Sequence, residues 1–305
     1  MTSAIRIAVI GIGKIARDQH LPAIAANPDF VLAAAVSRHA AVDGVPNFPD
    51  IAALIASGIA VDAVAICTPP IGRHLIARAA LANDWHVMLE KPPGATLGEV
   101  HDLQGDDRTL FASWHSRAAA GVAPARAWLA DKRIHSARID WREDIRQWHP
   151  GQDWILAAGG LGVFDPGINA LSIVTEILPG RLRLERAKLA FPKSRGAPIA
   201  ASLGLVHDDV APIAAAFDFR QTGPQRWDIA VDTDAGTLVL HDGGARLEID
   251  GVAHSVPDNA EYPGLYAHFA TLIATGKSDV DLTPLELVAD AFLLGEREDV
   301  AAFDF

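Results

Sequence analysis

Residues suited to chemistry stand in three separated groups along the chain. The first is Gly11-Ile12-Gly13-Lys14-Ile15-Ala16, a G-x-G-x-x-G/A pattern directly after the apolar residues Ile5, Ala8, Val9 and Ile10. Gly11 permits a tight turn, Gly13 lets a diphosphate approach bare backbone, and Ala16 lets the next helix pack closely on the strand. The N–H groups and positive end of that helix, from Lys14 and Ile15 onward, would face the diphosphate. The second group is Thr68-Pro69-Pro70 and Glu90-Lys91-Pro92-Pro93, each at the carboxyl end of an apolar run. Ligands of doubly wound sheets bind outside such ends, and a lysine braced there by two prolines is an odd choice for a structural turn. The third group holds Asp165 and Asn169, four apart and so on one face if the segment is helical. With them goes a cluster from Trp141 to Trp154, in which Glu143, Trp148, His149 and Asp153 offer aromatic, carboxylate and imidazole groups.

The elements around these groups predict how they are held. Apolar runs at 5–10, 30–36, 61–67, 86–89 and 109–114 alternate with helical stretches at 18–26, 51–56, 73–81 and 99–103. That alternation predicts a doubly wound parallel sheet of the Rossmann type. After 30–36 stand Ser37-Arg38-His39, where an NAD-preferring unit carries an acid for the ribose 2′-hydroxyl. An arginine beside a small hydroxyl suits a 2′-phosphate, so NADP is the preferred cofactor and NAD remains open.

Beyond 117 the pattern changes. Residues 134–142 alternate, and strands follow at 183–190, 201–205, 211–219, 227–233, 236–240 and 245–249 with short turns between them. Helices are expected at 124–131, 266–275 and 285–297. The expected fold is α/β, with a Rossmann domain over 1–117 and an α+β domain over 118–305 built on an open, largely antiparallel sheet. A broad apolar face left on that sheet is expected to meet a second copy of the chain.

Composition narrows the function. The 305 residues are half hydrophobic and carry a net charge of −12, which argues against nucleic acid or an anionic membrane as partner. No apolar run approaches a membrane span and no leader segment is evident, so a cytoplasmic enzyme is expected. The single cysteine, Cys67, excludes an internal disulfide and a cysteine-based zinc cluster, and its apolar setting reads as packing. None of the twelve histidines has the spacing of a ligand pair with a neighbouring carboxylate, so no metal is expected.

Taken together, 11–16, Thr68-Pro69-Pro70 and Glu90-Lys91-Pro92 resemble the Gfo/Idh/MocA family of sugar oxidoreductases, and 159–169 is similar to that family's glycine-rich D-x-G-x-H motif. Residues 14–22, 114–117 and 163–172 resemble its sugar 1-dehydrogenase branch, which oxidises the anomeric carbon of L-arabinose or D-galactose to a lactone with NAD(P). The resemblance implies that Lys91 contacts the reacting hydroxyl and shares a proton network with Asp165. Asn169 stands where the wider family has histidine, and an amide accepts no proton at neutral pH, so the proton falls to Asp165 or Lys91 while Asn169 positions O1 or O2. Read as structure alone, Asp165 would be a helix N-cap. The expected sugar contacts are His115, Glu143, Trp148, His149, Asp153, Asn169 and Trp227, with Glu143 or His149 at the C4 hydroxyl. The expected cofactor contacts are Gly11, Gly13, Lys14, Ile15, Ser37, Arg38, His39, Thr68, Pro69, Glu90 and Lys91. A monosaccharide is the expected partner, and the resemblance implies a homo-oligomer. Two other functions remain open: a dehydrogenase of another aldose or a cyclitol, and a dinucleotide-sensing regulator without turnover.

Overall fold

The computed structural model describes residues 4–304 apart from 104, 106, 209 and 259. The chain folds as two compact units, Met1–His115 with Ala260–Leu282, and Ser116–Asn259 with Thr283–Phe305.

In the first unit, strands β1 (Ile5–Ile10), β2 (Phe30–Val36), β3 (Asn47–Phe48), β4 (Ala63–Ile66), β5 (His86–Leu89) and β6 (Leu110–Ala112) form one parallel sheet in the order β3-β2-β1-β4-β5-β6. The order reverses between β1 and β4, the switch point at which such sheets bind ligands. A parallel sheet is covered on both faces, which is why β4 is buried throughout. Alternate residues serve the two layers. Ile7, Val9, Ala65 and Met88 pack with Tyr262, Leu265 and Phe269 on one face. Ala8, Ile10, Val64 and Leu89 pack with Leu54, Ala77 and Ala80 on the other.

The units differ from a single cut at 117/118 in two respects: the break falls after His115, and the helix Glu261–Thr275 returns to the first sheet. Its rings supply the reason, because Phe269 stacks on Phe30 and Phe111, with centroids 6.0 and 6.1 Å apart, and so closes a face the earlier helices leave open.

The second unit holds β7 (Ile134–Arg142), β8 (Leu182–Pro192), β9 (Ala200–His207), β10 (Ala211–Asp218), β11 (Arg226–Thr233), β12 (Gly236–His241), β13 (Arg246–Ile249), β14 (Val252–His254) and β15 (Glu296–Val300). Their order is β14-β13-β12-β11-β7-β10-β9-β8-β15, antiparallel except where β10 meets β7 and β15 meets β8. Ala137, Ile139 and Trp141 of β7 and Ile213, Ala215 and Phe217 of β10 are buried. The helix Phe164–Ile177 lies on that side, with Phe164 5.8 Å from the Phe217 ring.

One expectation is corrected here. The helix predicted over 285–297 is Thr283–Leu294, and the chain then turns at Gly295 into β15, where a Cβ would lie only 2.4 Å from the Ala291 carbonyl. The apolar sheet face is covered by this chain's own helices. The opposite face carries Arg138, Asp140, Arg142, Arg186 and Lys188, and a groove of about 530 Å³ runs among them. Gly204, Ala214 and Ala216 lie between these charged side chains, so the groove is mixed in character.

Phe269→Ala is expected to cost about 3–5 kcal/mol of unfolding free energy by urea titration, the usual cost of emptying a buried ring site. A loss below about 1 kcal/mol would show that the returning helix does not cover the sheet.

Candidate active site

The first unit presents its candidate cofactor residues at the carboxyl ends of adjacent strands. At the end of β1, Gly11 has φ +94°, and a Cβ there would sit 2.7 Å from the Thr68 nitrogen, so only glycine lets this loop close against the one after β4. A Cβ on Gly13 would meet nothing within 4 Å, leaving bare, open backbone of the kind a diphosphate approaches. Helical turns begin at Lys14 and continue through the π-turn Ala16–His20 and the α-helix Leu21–Ala26. Lys14 and Ile15 are exposed, and the Lys14 ammonium pairs with Asp18. Ser37, Arg38 and His39 follow β2, with the Ser37 hydroxyl accepting the His39 N–H at 3.3 Å and Arg38 exposed. Thr68 and Pro69 follow β4, and Glu90 and Lys91 follow β5, across a Lys91–Pro92 bond that is cis. These residues fit a nicotinamide dinucleotide: the glycines would face its diphosphate, Ser37 and Arg38 would lie toward its adenosine ribose, and Thr68 stands beside the switch point with Lys91 one strand further along.

Buried groups hold those loops. Arg73, 2% exposed, donates to the Thr68 carbonyl at 3.1 Å through Nε and also to the carbonyls of Glu90 and Pro92. One guanidinium thus ties the loops after β4 and β5 together. The Glu90 carboxylate, 4% exposed, turns inward. It accepts the Tyr262 hydroxyl at 2.6 Å and lies 3.5 Å from His20 Nε2, while His20 Nδ1 meets the Tyr266 hydroxyl at 2.8 Å. Burial opposes charge on His20, yet Cys67 and Glu90 facing the ring outweigh it and raise its pKa to about 10. Burial likewise opposes charge on Glu90, but His20 and Tyr262 hold it well below the usual carboxylate range. His115 stacks on Tyr262 at 5.3 Å and meets the Glu261 carboxylate at 3.1 Å. Arg73 and Tyr262 carry no local motif, and His20 falls within the motif at 14–22, where its type and spacing point to no particular partner.

The second unit gathers the other group at the end of β7. Glu143 donates its N–H to the Asp218 carbonyl at 3.0 Å, and Asp144 caps the turn Ile145–Trp148, which ends at His149. The Glu143 side chain is buried. Its Oε2 accepts the Trp227 indole N–H at 2.9 Å, and its Oε1 lies 3.0 Å from His149 Nε2. His149 Nδ1 faces Asp165 Oδ2 at 3.9 Å. Trp148, 38% exposed, leans on Trp227 at 4.9 Å, and Trp227 stacks on Trp141. Asp165 is the second residue of the helix Phe164–Ile177, whose cap is Val163 without a side-chain bond, so Asp165 is not the N-cap. Asn169 lies one turn on and half-buried. Asp153 is exposed and pairs with Arg195 at 3.2 Å rather than with Glu143 or His149. The glycines before Asp165 serve close approach more than flexibility: a Cβ on Gly160 would lie 2.3 Å from the Ile155 carbonyl, and one on Gly162 2.2 Å from that of Pro198. Among the described residues, no helix is long and apolar enough to cross a membrane.

The His20–Glu90 pair sets a pH dependence of stability. A histidine whose pKa is raised on folding stabilises fully below its unfolded value near 6.5, and that stabilisation fades as pH climbs through about 10. The depressed Glu90 stabilises above the ordinary carboxylate range and loses its effect as pH falls through its folded value. His20→Gln leaves a buried carboxylate without its cation, so a cost of about 3–5 kcal/mol is expected at neutral pH. The fall in Tm of the unaltered protein on going from about pH 7 to about pH 9 should flatten in the variant. An unchanged slope would mean that His20 is neutral in the folded protein.

Residues 5–105 match the oxidoreductase family with an NAD-binding Rossmann fold. Over 300 residues, 98% of each chain, the protein is 46% identical to a galactose 1-dehydrogenase of Pseudomonas fluorescens. The crystal structure of a D-galactose-1-dehydrogenase from Rhizobium etli matches with a TM-score of 0.96 at 53% identity, covering 100% of this chain and 99% of that one. A myo-inositol 2-dehydrogenase from Lactobacillus plantarum matches with a TM-score of 0.76 at 14% identity, over 95% of each chain, and shares the fold. With two relatives similar along their whole length and a dinucleotide cradle on its parallel sheet, the chain belongs to the Gfo/Idh/MocA family of NAD(P)-dependent oxidoreductases.

Proposed function

We propose that the protein oxidises the anomeric carbon of D-galactose and L-arabinose to the aldonolactone, with NADP+ preferred over NAD+ as hydride acceptor. The observation that carries this is the 46% identity to a galactose 1-dehydrogenase over 98% of both chains. The side chains agree with it. Trp148 and Trp227 offer aromatic faces for sugar C–H groups, and Asp165 and Asn169 offer polar edges for hydroxyls. Lys91 of the first unit and Asp165 and Asn169 of the second are the proposed catalytic groups. Lys91 and Asp165 handle the O1 proton, and Asn169 orients the hydroxyl. The two sugars share configuration at the ring hydroxyls beyond the anomeric carbon and differ by the exocyclic CH2OH, so one site reading the shared hydroxyls takes both. The enzyme is proposed to be cytoplasmic and homo-oligomeric, a second copy meeting the outward face of the nine-stranded sheet through its charged residues.

Initial rates of NADP+ reduction are expected to be comparable for L-arabinose and D-galactose and weak for D-glucose. Glucose turns the C4 hydroxyl and leaves buried polar partners unpaired, at about 1–3 kcal/mol per group. Glucose activity equal to galactose, or a faster rate with myo-inositol, would overturn the substrate and leave the fold intact.

The cofactor preference rests on Arg38. Arg38→Ala should raise KM for NADP+ by about tenfold or more, the worth of one charged hydrogen-bonding partner, and change KM for NAD+ little. Equal changes for both cofactors would remove Arg38 from the 2′-phosphate.

A further inference from the structure

The second unit contains an imidazole whose hydrogen-bonding roles are set before any substrate arrives. An indole N–H is only a donor, so Glu143 Oε2, 2.9 Å from Trp227 Nε1, must accept. A carboxylate has no proton to give, so Glu143 Oε1 must also accept, and the group 3.0 Å away, His149 Nε2, must carry the hydrogen. A neutral imidazole has one N–H. With Nε2 protonated, Nδ1 bears the lone pair, and Nδ1 is the nitrogen that faces Asp165 at 3.9 Å. This order of groups (indole, buried carboxylate, imidazole with its free nitrogen outward) orients a general base as the carboxylate of a Ser-His-Asp triad orients its histidine. Phe219, 5.6 Å from the ring, closes one side against solvent.

We propose that His149 Nδ1, held by Glu143 and Trp227, is the group that finally receives the proton that Asp165 takes from the sugar O1. The proposal rests on the aldose reading above and deepens it. It also answers what replaces the histidine that Asn169 displaces: an imidazole supplied from the turn after β7 instead of the helix Phe164–Ile177. The step balances. The O1–H bond breaks and its electron pair forms the second C1–O bond of the lactone. The C1–H bond leaves with its electron pair to NAD(P)+, and the proton ends on Nδ1. The imidazolium so formed lies between two carboxylates, Glu143 and Asp165, the acidic groups facing the ring from β7's end and from the helix. Glu143 itself is a positioning residue.

Three readouts test this. In the protein without sugar or cofactor, 15N NMR of labelled histidines should find His149 as the Nε2–H tautomer at neutral pH, and Glu143→Gln should disturb it. In steady state, His149→Gln should lower kcat by roughly 10²–10³-fold with little change in KM for galactose. Imidazole added to His149→Ala should restore part of the rate. A Nδ1–H tautomer would overturn the proposal. So would a His149→Gln variant with raised KM and normal kcat, which would make His149 a hydroxyl contact. If the unaltered enzyme oxidises no aldose, the aldose reading fails on its own, and the tautomer alone then decides the orientation of the base.

Discussion

A carboxylate taken out of water needs hydrogen-bonding or ionic partners, and this protein buries one behind the functional residues of each unit. Glu90 lies behind the Lys91 loop with Tyr262 and His20, and Glu143 lies behind the tryptophan and histidine pair with Trp227 and His149. Both follow the end of a strand, and in both cases the next residues are the ones that could meet a ligand. Because breaking either set strands a buried charge, the adjoining loops are held to one arrangement. That supplies the fixed positions which hydride and proton transfer require.

The fold was legible where sequence and space run together. Alternation of apolar runs and short helices implied a parallel sheet, and the Gly11–Gly13 spacing implied a diphosphate cradle, because both depend on neighbours within about thirty residues. The strand at Glu296–Val300 was not legible, since Glu, Arg, Glu and Asp carry no strand pattern and only pairing with β8 makes it one. Nor was the return of Glu261–Thr275, whose apolar residues could have covered either sheet.

The candidate site was half legible. Residue type identified Glu143, Trp148, His149 and Asp153 as a cluster with Trp227 as a separate candidate, and the fold joins Glu143, His149 and Trp227 although Trp227 is distant in sequence. Residue type could not show that both oxygens of Glu143 are already engaged within the protein, or that Asp153 pairs with Arg195 instead. Arg73 was invisible, because a charged residue in a short helix reads as solvated until its burial is known, and the motif at 14–22 gave no sign that His20 turns into the core. Such groups matter to function indirectly, by holding the loops that carry Thr68 and Lys91.

The central claim is that the oxidised atom is the anomeric carbon. Following D-galactose labelled with 13C at C1 by NMR during turnover with NADP+ addresses it directly. The account predicts that the hemiacetal C1 signals give way to a lactone carbonyl and then, on hydrolysis, to a carboxylate. Retention of the hemiacetal signals, with a ketone growing at a ring carbon, would contradict it.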